Sequence, residues 1–263
     1  MKIREITDVI EQFAPLTLQE SYDNSGLIVG RHDDEVHKAL LAVDVTDEVM
    51  DEAEREGCDI IITHHPIIFH ALKRFNSASV TERCVERAIR KGIAIYACHT
   101  NLDSAPHGMS WRLAEMLGIG NLQILQESQQ LAGAGFGVIG ELPEQMPVAD
   151  FLHRVAEITA AKVIRHSDIV SSKVSRVAVC TGAGAFLIGE AARAGAELYI
   201  TADLKYNDFM SPAGGVLTVA DIGHFESEYC AIRILFDVLS KKLITFAVRE
   251  SKHSLNPVNY LTK

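Results

Sequence analysis

The chain has 263 residues, of which 48% are hydrophobic, and its formal net charge at pH 7 is −10. This length suits one large domain or two small ones, each with a substantial core. The negative charge argues against broad nucleic-acid binding, because contacts with phosphates need a basic surface. No stretch approaches the apolar run of about 18 residues that spans a bilayer, so no membrane segment is expected.

The N-terminus and the cysteines bear on the cellular compartment. Acidic residues follow Met1 before any hydrophobic run, so no signal peptide is expected. The 5 cysteines are widely spaced and form no C-x-x-C pair. This spacing is typical of reduced, buried thiols rather than of disulfides or metal ligands. We therefore expect a cytoplasmic protein that does not bind metal through cysteine.

Helix and strand patterns alternate along the N-terminal part of the chain. Isoleucines at helical spacing predict a first helix that ends near Pro15. Thr46 and Ser79 are suited to helix N-caps, and Gly57 and Gly92 to helix C-termini. The predicted elements, in order, are a helix from Ile3 to Phe13, strands at Leu27–Val29 and Ala39–Val45, a helix from Thr46 to Gly57, a strand at Ile60–Ile62, a helix from Ser79 to Gly92 and a strand at Ile93–Cys98.

The rest of the chain also has an α/β pattern, with loops marked by glycine and proline. Asp221 is predicted to be the N-cap of the last helix, because it follows a strand pattern and has a side chain preferred at that position. The predicted elements here are a helix around Met109–Leu117, a strand at Phe136–Leu142, a helix at Val148–Thr159, strands at Val177–Cys180 and Val216–Ala220, and a helix from Asp221 to about Ser240.

A segment of the first half of the chain recurs in the second half. Between Glu52–Thr63 and Glu190–Thr201, the residues Glu, Ala, Arg, Gly, Ile and Thr repeat in the same register, and a strand pattern precedes each copy. The repeat predicts a strand-helix-strand unit in both halves and an internal duplication. Directly after the repeat, the first copy has His64-His65 and the second has Ala202-Asp203.

These patterns predict an α/β fold made of two similar α/β domains related by duplication, with mixed, parallel-rich sheets flanked by helices. Residues 1–126 and 216–263 are predicted to form a metal-bearing domain. The reason is that His224 and Glu228, which are candidate metal ligands near the C-terminus, must lie close to the candidate ligand His64. Residues 127–215 are predicted to form a second, smaller α/β domain.

His64 and His65 directly follow a run of β-branched residues, and Pro66 is expected to end the pairing of that strand. Open α/β sheets bind ligands at the carboxyl ends of their strands. Neighbouring strand residues point to opposite faces, so each imidazole is expected to bind its own metal ion unless the backbone turns. The alternative is a pair of polar residues on a surface loop.

Further nitrogen and oxygen donors occur near other strand ends. Asp103 follows the strand at Ile93–Cys98, and His224 and Glu228 lie four apart on one face of a predicted helix. Imidazole and carboxylate donors without thiolate suit Zn²⁺, Mn²⁺, Fe²⁺ or Ni²⁺. With His64 and His65, this set exceeds the roughly three or four protein ligands of one zinc ion, which favours two ions with Glu228 bridging them.

Several short motifs spread along the chain occur together in one known family. They are His64-His65-Pro66, His99–Asp103, Gly223–Glu228, the turn Tyr22–Leu27 and Thr181–Gly184. Together they resemble the YbgI-like dinuclear metal-centre family, whose members are also called GTP cyclohydrolase I type 2 homologues. The resemblance covers essentially the whole chain.

The resemblance implies two similar α/β domains, a site with two divalent metal ions, and a ring-shaped homohexamer whose sites face an internal cavity. Matched motif by motif, it implies that the metal ligands are His64, His65, Asp103, His224 and Glu228. The connection between the halves is too short for the large inserted domain that some members carry.

Two hypotheses for function follow. The first is a metal-dependent hydrolase acting on a nucleotide such as GTP, or on a phosphoester. The second is a non-enzymatic, hexameric assembly that binds metal or a partner. The sequence contains no P-loop and no arginine cluster for a triphosphate, and it identifies no catalytic acid or base. His99 and Thr100 either orient metal ligands or simply end a strand.

Overall fold

A computed structural model describes residues 1–261 as a mixed α/β protein, which confirms the predicted fold class. The helices are α1 (Ile3–Phe13), α2 (Asp47–Glu56), α3 (Val80–Lys91), α4 (Thr100–Ser104), α5 (Met109–Met116), α6 (Val148–Thr159), α7 (Ile188–Arg193), α8 (His224–Glu228) and α9 (Cys230–Lys242). The strands are β1 (Gly26–Val29), β2 (Lys38–Ala42), β3 (Ile60–Thr63), β4 (Ala94–Ala97), β5 (Gly120–Glu127), β6 (Gly135–Pro147), β7 (Arg165–His166), β8 (Lys173–Ala183), β9 (Leu198–Ala202), β10 (Thr218–Asp221) and β11 (Ala247–Glu250).

The chain divides into two compact units. Unit 1 contains Met1–Ala105 and Ala231–Leu255, and unit 2 contains Pro106–Cys230 and the segment that starts at Asn256. These divisions differ from the predicted domain boundaries at 126/127 and 215/216. The reason is hydrogen bonding between strands, because β5 pairs with β6 and β10 pairs with β9. As a consequence, His224 and Glu228 belong to unit 2, whereas His64 belongs to unit 1.

In unit 1 the described strands have the order β1-β4-β3-β2-β11. β2, β3, β4 and β11 run parallel, and β1 is antiparallel to β4. All residues of β3 are buried, as expected of a parallel strand covered on both faces. Thr63 pairs with Ala97, so the residues that follow β3 and β4 leave the sheet at the same edge.

Local signals determine where the helices of unit 1 begin and end. The Thr46 side chain accepts a hydrogen bond from the Val49 N–H, which confirms the predicted cap of α2. Ser79 caps α3 in the same way. Gly57 and Gly92, with φ of 64° and 67°, terminate the two helices in the left-handed conformation that glycine adopts without strain.

In unit 2 the described strands have the order β5-β6-β8-β9-β10-β7. β8, β9 and β10 are parallel, whereas β5, β6 and β7 pair in antiparallel fashion. Tyr199 and Val219 lie in the hydrophobic core of this unit. Thr201 pairs with Asp221 at the carboxyl ends of β9 and β10.

Both units contain the same central arrangement, which agrees with the predicted duplication. β2-β3-β4 in unit 1 and β8-β9-β10 in unit 2 are consecutive parallel strands in the same order. A helix connects the first two strands of each trio: α2 in unit 1 and α7 in unit 2. A helix of 5 residues follows the third strand of each trio: α4 in unit 1 and α8 in unit 2.

The prediction that Asp221 is a helix N-cap is wrong. Asp221 is the last residue of β10, and its pairing with Thr201 keeps its backbone extended. Its carboxylate accepts hydrogen bonds from the N–H groups of Leu204 and Gly223 and forms an ion pair with Arg165. The helix begins only at His224, and it is divided into α8 and α9.

Two further features concern the cysteines and the helices. Cys58, Cys84, Cys98, Cys180 and Cys230 are all free and buried. Among residues 1–261, none of the helices combines the length and the apolar character needed to cross a bilayer.

Candidate metal centre

His64 and His65 lie where β3 ends, and the backbone bends there instead of continuing as a strand. The Thr63 hydroxyl donates a hydrogen bond of 2.8 Å to the carbonyl of His65, which stabilises this bend. The two imidazole rings have centroids 4.9 Å apart and are tilted by 43°. The rings therefore lie beside each other, not on opposite faces of the sheet as an unbent strand would place them.

The Nδ1 atom of each ring has an acceptor within unit 1. His64 Nδ1 lies 2.9 Å from the carbonyl oxygen of Cys98, and His65 Nδ1 lies 2.8 Å from Asp44 Oδ1. Because a carbonyl and a carboxylate only accept, Nδ1 is the protonated nitrogen in both rings. Nε2 is therefore the nitrogen through which each ring would bind an ion.

Asp103 lies on α4 and is, after His64 and His65, the third predicted ligand in unit 1. Its Oδ1 atom is 3.7 Å from Nε2 of the buried His64. The structure thus brings together the three predicted ligands of this unit: His64, His65 and Asp103.

His99 is a further imidazole at this edge of the sheet. Its ring centroid is 5.3 Å from that of His64 and 5.5 Å from that of His65. Potential ligand atoms of the three histidines lie within 4.8 Å of one another. The Nδ1 atom of His99 is bound to Asp23 Oδ1 at 2.7 Å. The geometry places His99 beside His64 and His65, so it does more than end a strand.

Asp23 organises the loop that carries His99. It accepts hydrogen bonds from the N–H of Thr100 (3.1 Å), the hydroxyl of Thr100 (2.5 Å) and the hydroxyl of Ser25 (2.8 Å). Burial raises the pKa of Asp23, but the hydrogen bonds from His99, Thr100 and Ser25 outweigh burial and hold this pKa well below its usual range. A charged carboxylate therefore orients His99, which gives the Tyr22–Leu27 motif a structural role.

In unit 2, His224 and Glu228 lie on one face of α8, as predicted. His224 Nε2 is 2.9 Å from Glu228 Oε2, and His224 Nδ1 is 2.8 Å from Asp203 Oδ2. The side chain of Glu228 is only 4% exposed. Burial lowers the pKa of His224, but its contacts with Glu228 and Asp203 raise it more, to about 9.

Gly182 makes room for the Glu228 carboxylate. Gly182 has a φ of 64°, and a Cβ atom at this position would collide with Glu228 Oε1. The Gly182 N–H donates to the Ser227 hydroxyl at 2.9 Å, and that hydroxyl donates to the His224 carbonyl at 2.8 Å. The Thr181–Gly184 motif thus supports the start of α8.

Sequence reasoning missed the carboxylates that hold the imidazoles: Asp23, Asp44 and Asp203. Asp44 comes two residues after β2, and Asp203 occupies the position of His65 in the internal repeat. For Asp203 the available signal was a polar residue just after the repeated strand pattern, whereas Asp44 falls inside the predicted strand Ala39–Val45 and leaves the strand only because β2 ends at Ala42.

The donors present in each unit fit a divalent metal ion. Unit 1 offers imidazoles and the Asp103 carboxylate, and unit 2 offers the His224 imidazole and the buried Glu228 carboxylate. Such nitrogen and oxygen donors suit Zn²⁺, Mn²⁺, Fe²⁺ and Ni²⁺. Buried histidine and carboxylate side chains of this protein can therefore bind a metal ion.

The two-unit α/β fold with histidine and carboxylate groups at its strand ends defines a class of candidate metal-binding proteins. The chain matches the Duf34/NIF3 (NGG1p interacting factor 3) family over residues 1–257 and belongs to that family. A GTP cyclohydrolase 1 type 2 homolog of Clostridium perfringens is 31% identical over 264 residues, covering 99% of this chain and 100% of the relative.

Solved structures are similar over nearly the whole chain. Staphylococcus aureus protein SA1388 superposes with a TM-score of 0.91 at 25% identity, covering 99% of both chains. Protein ybgI, described as of unknown function, superposes with a TM-score of 0.81 at 25% identity, covering 95% of this chain and 98% of that one. The resemblance to the YbgI-like family is thereby confirmed.

Proposed function

We propose that this protein binds two divalent metal ions through His64, His65, Asp103, His224 and Glu228. The observation that carries the proposal is the way the imidazoles are held. In both units, Nδ1 of each of these histidines is bound to a carboxylate or carbonyl, and Nε2 is the nitrogen near the other proposed ligands: His64 Nε2 lies near Asp103, and His224 Nε2 lies near Glu228. The metal is proposed to be zinc, manganese, iron or nickel.

The number of donors supports two ions rather than one. One zinc ion takes about three or four protein ligands, fewer than the proposed set. The proposed set takes His64, His65 and Asp103 from unit 1 and His224 and Glu228 from unit 2. Glu228 has two carboxylate oxygens and is the proposed bridging ligand.

We further propose that the protein is a metal-dependent hydrolase of a nucleotide or phosphoester. Paired divalent ions supply Lewis-acid activation of a water molecule and of the bond to be hydrolysed. The name of the relatives, GTP cyclohydrolase 1 type 2 homolog, supports the nucleotide. In unit 1, Asp23 fixes the tautomer of His99, which leaves Nε2 of that ring to contact a water or a substrate.

The assembly is proposed to be a homohexamer, as the family resemblance implies. Light scattering at micromolar protein concentration should give the mass of a closed oligomer, and a monomer would contradict the proposal. The free, buried cysteines support the proposed cytoplasmic location.

Metal analysis combined with turnover tests the proposed function. Elemental analysis after mild reconstitution should give about two divalent ions per chain, and one or none would contradict the dinuclear site. Wild type and Glu228→Gln are then compared against nucleotides and model phosphoesters. Turnover should fall by about a hundredfold or more in the variant, because a charged ligand is lost. Equal activity in both forms would rule out hydrolysis at this site.

A further inference from the structure

Two exposed aromatic side chains, Tyr22 and Phe69, lie against each other, and Phe69 packs against His99 of unit 1. Tyr22 is 63% exposed and Phe69 is 39% exposed. Their ring centroids are 6.4 Å apart, and the rings are tilted by 58°. The Phe69 ring also packs edge-on against His99, with centroids 6.0 Å apart. Tyr22 and Phe69 are called the aromatic pair below.

Hydrogen bonds anchor the backbone next to the aromatic pair to the candidate site. Asp23, the neighbour of Tyr22, is bound to His99 and Thr100 just after β4. The Asn24 side chain donates a hydrogen bond of 2.7 Å to the carbonyl of Ile68, the neighbour of Phe69. These bonds connect the turn that carries Tyr22 to the loop that carries Phe69. The pair is therefore held in place before any ligand binds, which reduces the entropy lost on binding.

Electrostatics connect the pair to the predicted ligands as well. Burial raises the pKa of the Tyr22 hydroxyl, and the negative charges of Glu20, Asp23 and Asp103 raise it further. Tyr22 therefore stays a neutral phenol at neutral pH, and its hydroxyl is within electrostatic reach of the Asp103 carboxylate. The aromatic pair therefore contacts His99 through Phe69 and interacts electrostatically with Asp103 through Tyr22.

We propose that the aromatic pair binds the planar heteroaromatic ring of the substrate. A flat ring can stack on the face of one aromatic side chain and meet the edge of the other, an arrangement that tilted rings favour. This inference rests on the proposed function and deepens it. Between the two substrate classes, it selects a nucleotide-like molecule over an aliphatic phosphoester, because only the former has a ring to stack.

The test compares two probes that share a sugar phosphate and differ in the ring. Binding of guanosine 5′-monophosphate and ribose 5-phosphate is measured by calorimetry to the full-length wild type, with and without reconstituted metal. The nucleotide should bind on the order of tenfold more tightly, which is the gain expected from stacking one base on aromatic side chains. The preference should persist without metal, because stacking needs no ion.

Variants assign the preference to the aromatic pair. Tyr22→Ala and Phe69→Ala should each reduce the tenfold preference toward equality, and Tyr22→Phe should retain it, because the ring is kept. Tyr206→Ala is the matched control, since Tyr206 is a tyrosine of unit 2 that is 80% exposed. Metal content should be the same in all of these proteins, because neither ring supplies a donor atom.

Two outcomes would overturn the inference. One is equal binding of the two probes by the wild type. The other is an unchanged preference in Tyr22→Ala and Phe69→Ala. If the oligomeric state of these variants also changed, the pair would be a contact between copies of the chain. A ring preference in a protein that takes up no metal would support stacking by the pair and contradict the proposed metal function, so the two failures are distinguishable.

Discussion

Unit 1 and unit 2 share three consecutive parallel strands, but they carry different chemistry at the ends of those strands. After the middle strand, unit 1 has His65, and unit 2 has Asp203 at the equivalent position of the repeat. In unit 1 the imidazole is held by Asp44 from the end of the first strand. In unit 2 the position equivalent to His65 supplies a carboxylate, that of Asp203. This carboxylate holds His224, which follows the third strand.

The comparison shows that the pairing of imidazole with carboxylate is kept while the strand that supplies each partner changes. The Nδ1–Oδ distance is 2.8 Å in both units. A metal site needs a fixed imidazole orientation, but any neighbouring strand end can provide the group that fixes it. A duplicated strand end can therefore supply the imidazole in one unit and the carboxylate that holds an imidazole in the other.

The largest expected effect comes from removing one imidazole from each unit. His65→Ala and His224→Ala should each weaken metal binding by about a hundredfold or more, because each deletes a proposed ligand. Competition with a chromophoric chelator measures the affinity, and circular dichroism verifies the fold.

The double variant decides whether the two units serve one centre. If both histidines bind the same pair of ions, the free-energy changes of the single variants should not add in the double variant. Additive changes, with full loading of one ion in each single variant, would mean that each unit binds metal independently.

Gly182→Ala should reduce metal occupancy next most strongly. The added Cβ collides with Glu228 Oε1, so the carboxylate must move away from its present position. Gly57→Ala is the matched control, because Gly57 has the same φ of 64° and nothing within 4 Å of the added Cβ. Both substitutions should cost about 1 kcal/mol of unfolding free energy from backbone strain. Only Gly182→Ala should lose metal in elemental analysis, and equal metal content in the two variants would contradict the steric account.

Asp44→Ala and Asp203→Ala should each weaken metal binding by about 10- to 100-fold, the usual effect of losing a carboxylate that orients a ligand histidine. Asp44→Asn and Asp203→Asn should recover part of the affinity, since an amide oxygen still accepts from Nδ1. The chelator competition used for the histidine variants measures this, with exposed Asp8→Ala as the control. If Asp203→Ala bound metal as tightly as the wild type while Asp44→Ala did not, only unit 1 would depend on a carboxylate that holds its histidine.

The smallest expected effect concerns Glu52 and Glu190, which are equivalent in the repeat. Glu52 is 4% exposed and accepts hydrogen bonds from the Ser251 hydroxyl and the Lys252 N–H, whereas Glu190 forms an ion pair with Arg193 on the surface of α7. Glu52→Gln should lower the unfolding free energy by about 1 kcal/mol at pH 7, and Glu190→Gln should have almost no effect.

The dependence on pH gives the sign of the Glu52 contribution. Burial raises the pKa of Glu52, but hydrogen bonds from Ser251, Lys252 and His253 lower it more, so the folded-state pKa lies below the unfolded one. The stabilisation is therefore present above the unfolded pKa and is lost as the pH falls through the folded pKa. Urea denaturation at several pH values should show the difference between wild type and Glu52→Gln shrinking as the solution becomes acidic. A constant difference would mean that the charge of Glu52 is not involved.

The sequence by itself determined the elements whose signals are local. Thr46 and Ser79 cap helices, and Gly57 and Gly92 end them, because each of these residues acts on backbone groups within its own turn. The same holds for the pairing of His224 with Glu228, which depends only on helical spacing. The position of His64 and His65 at a strand end could be predicted because a parallel strand has one carboxyl end, and that end is visible in the sequence.

Tertiary structure alone decided which groups support the histidines and to which unit each belongs. His99 and Asp23 are 76 residues apart, and they meet only because β1 pairs with β4. Asp221 carries a good capping side chain, but pairing with β9 keeps it in a strand. Hydrogen bonds between strands likewise assign His224 and Glu228 to unit 2. Such pairings form between residues distant in sequence and depend on the order of strands in the sheet, which no local pattern of residues encodes.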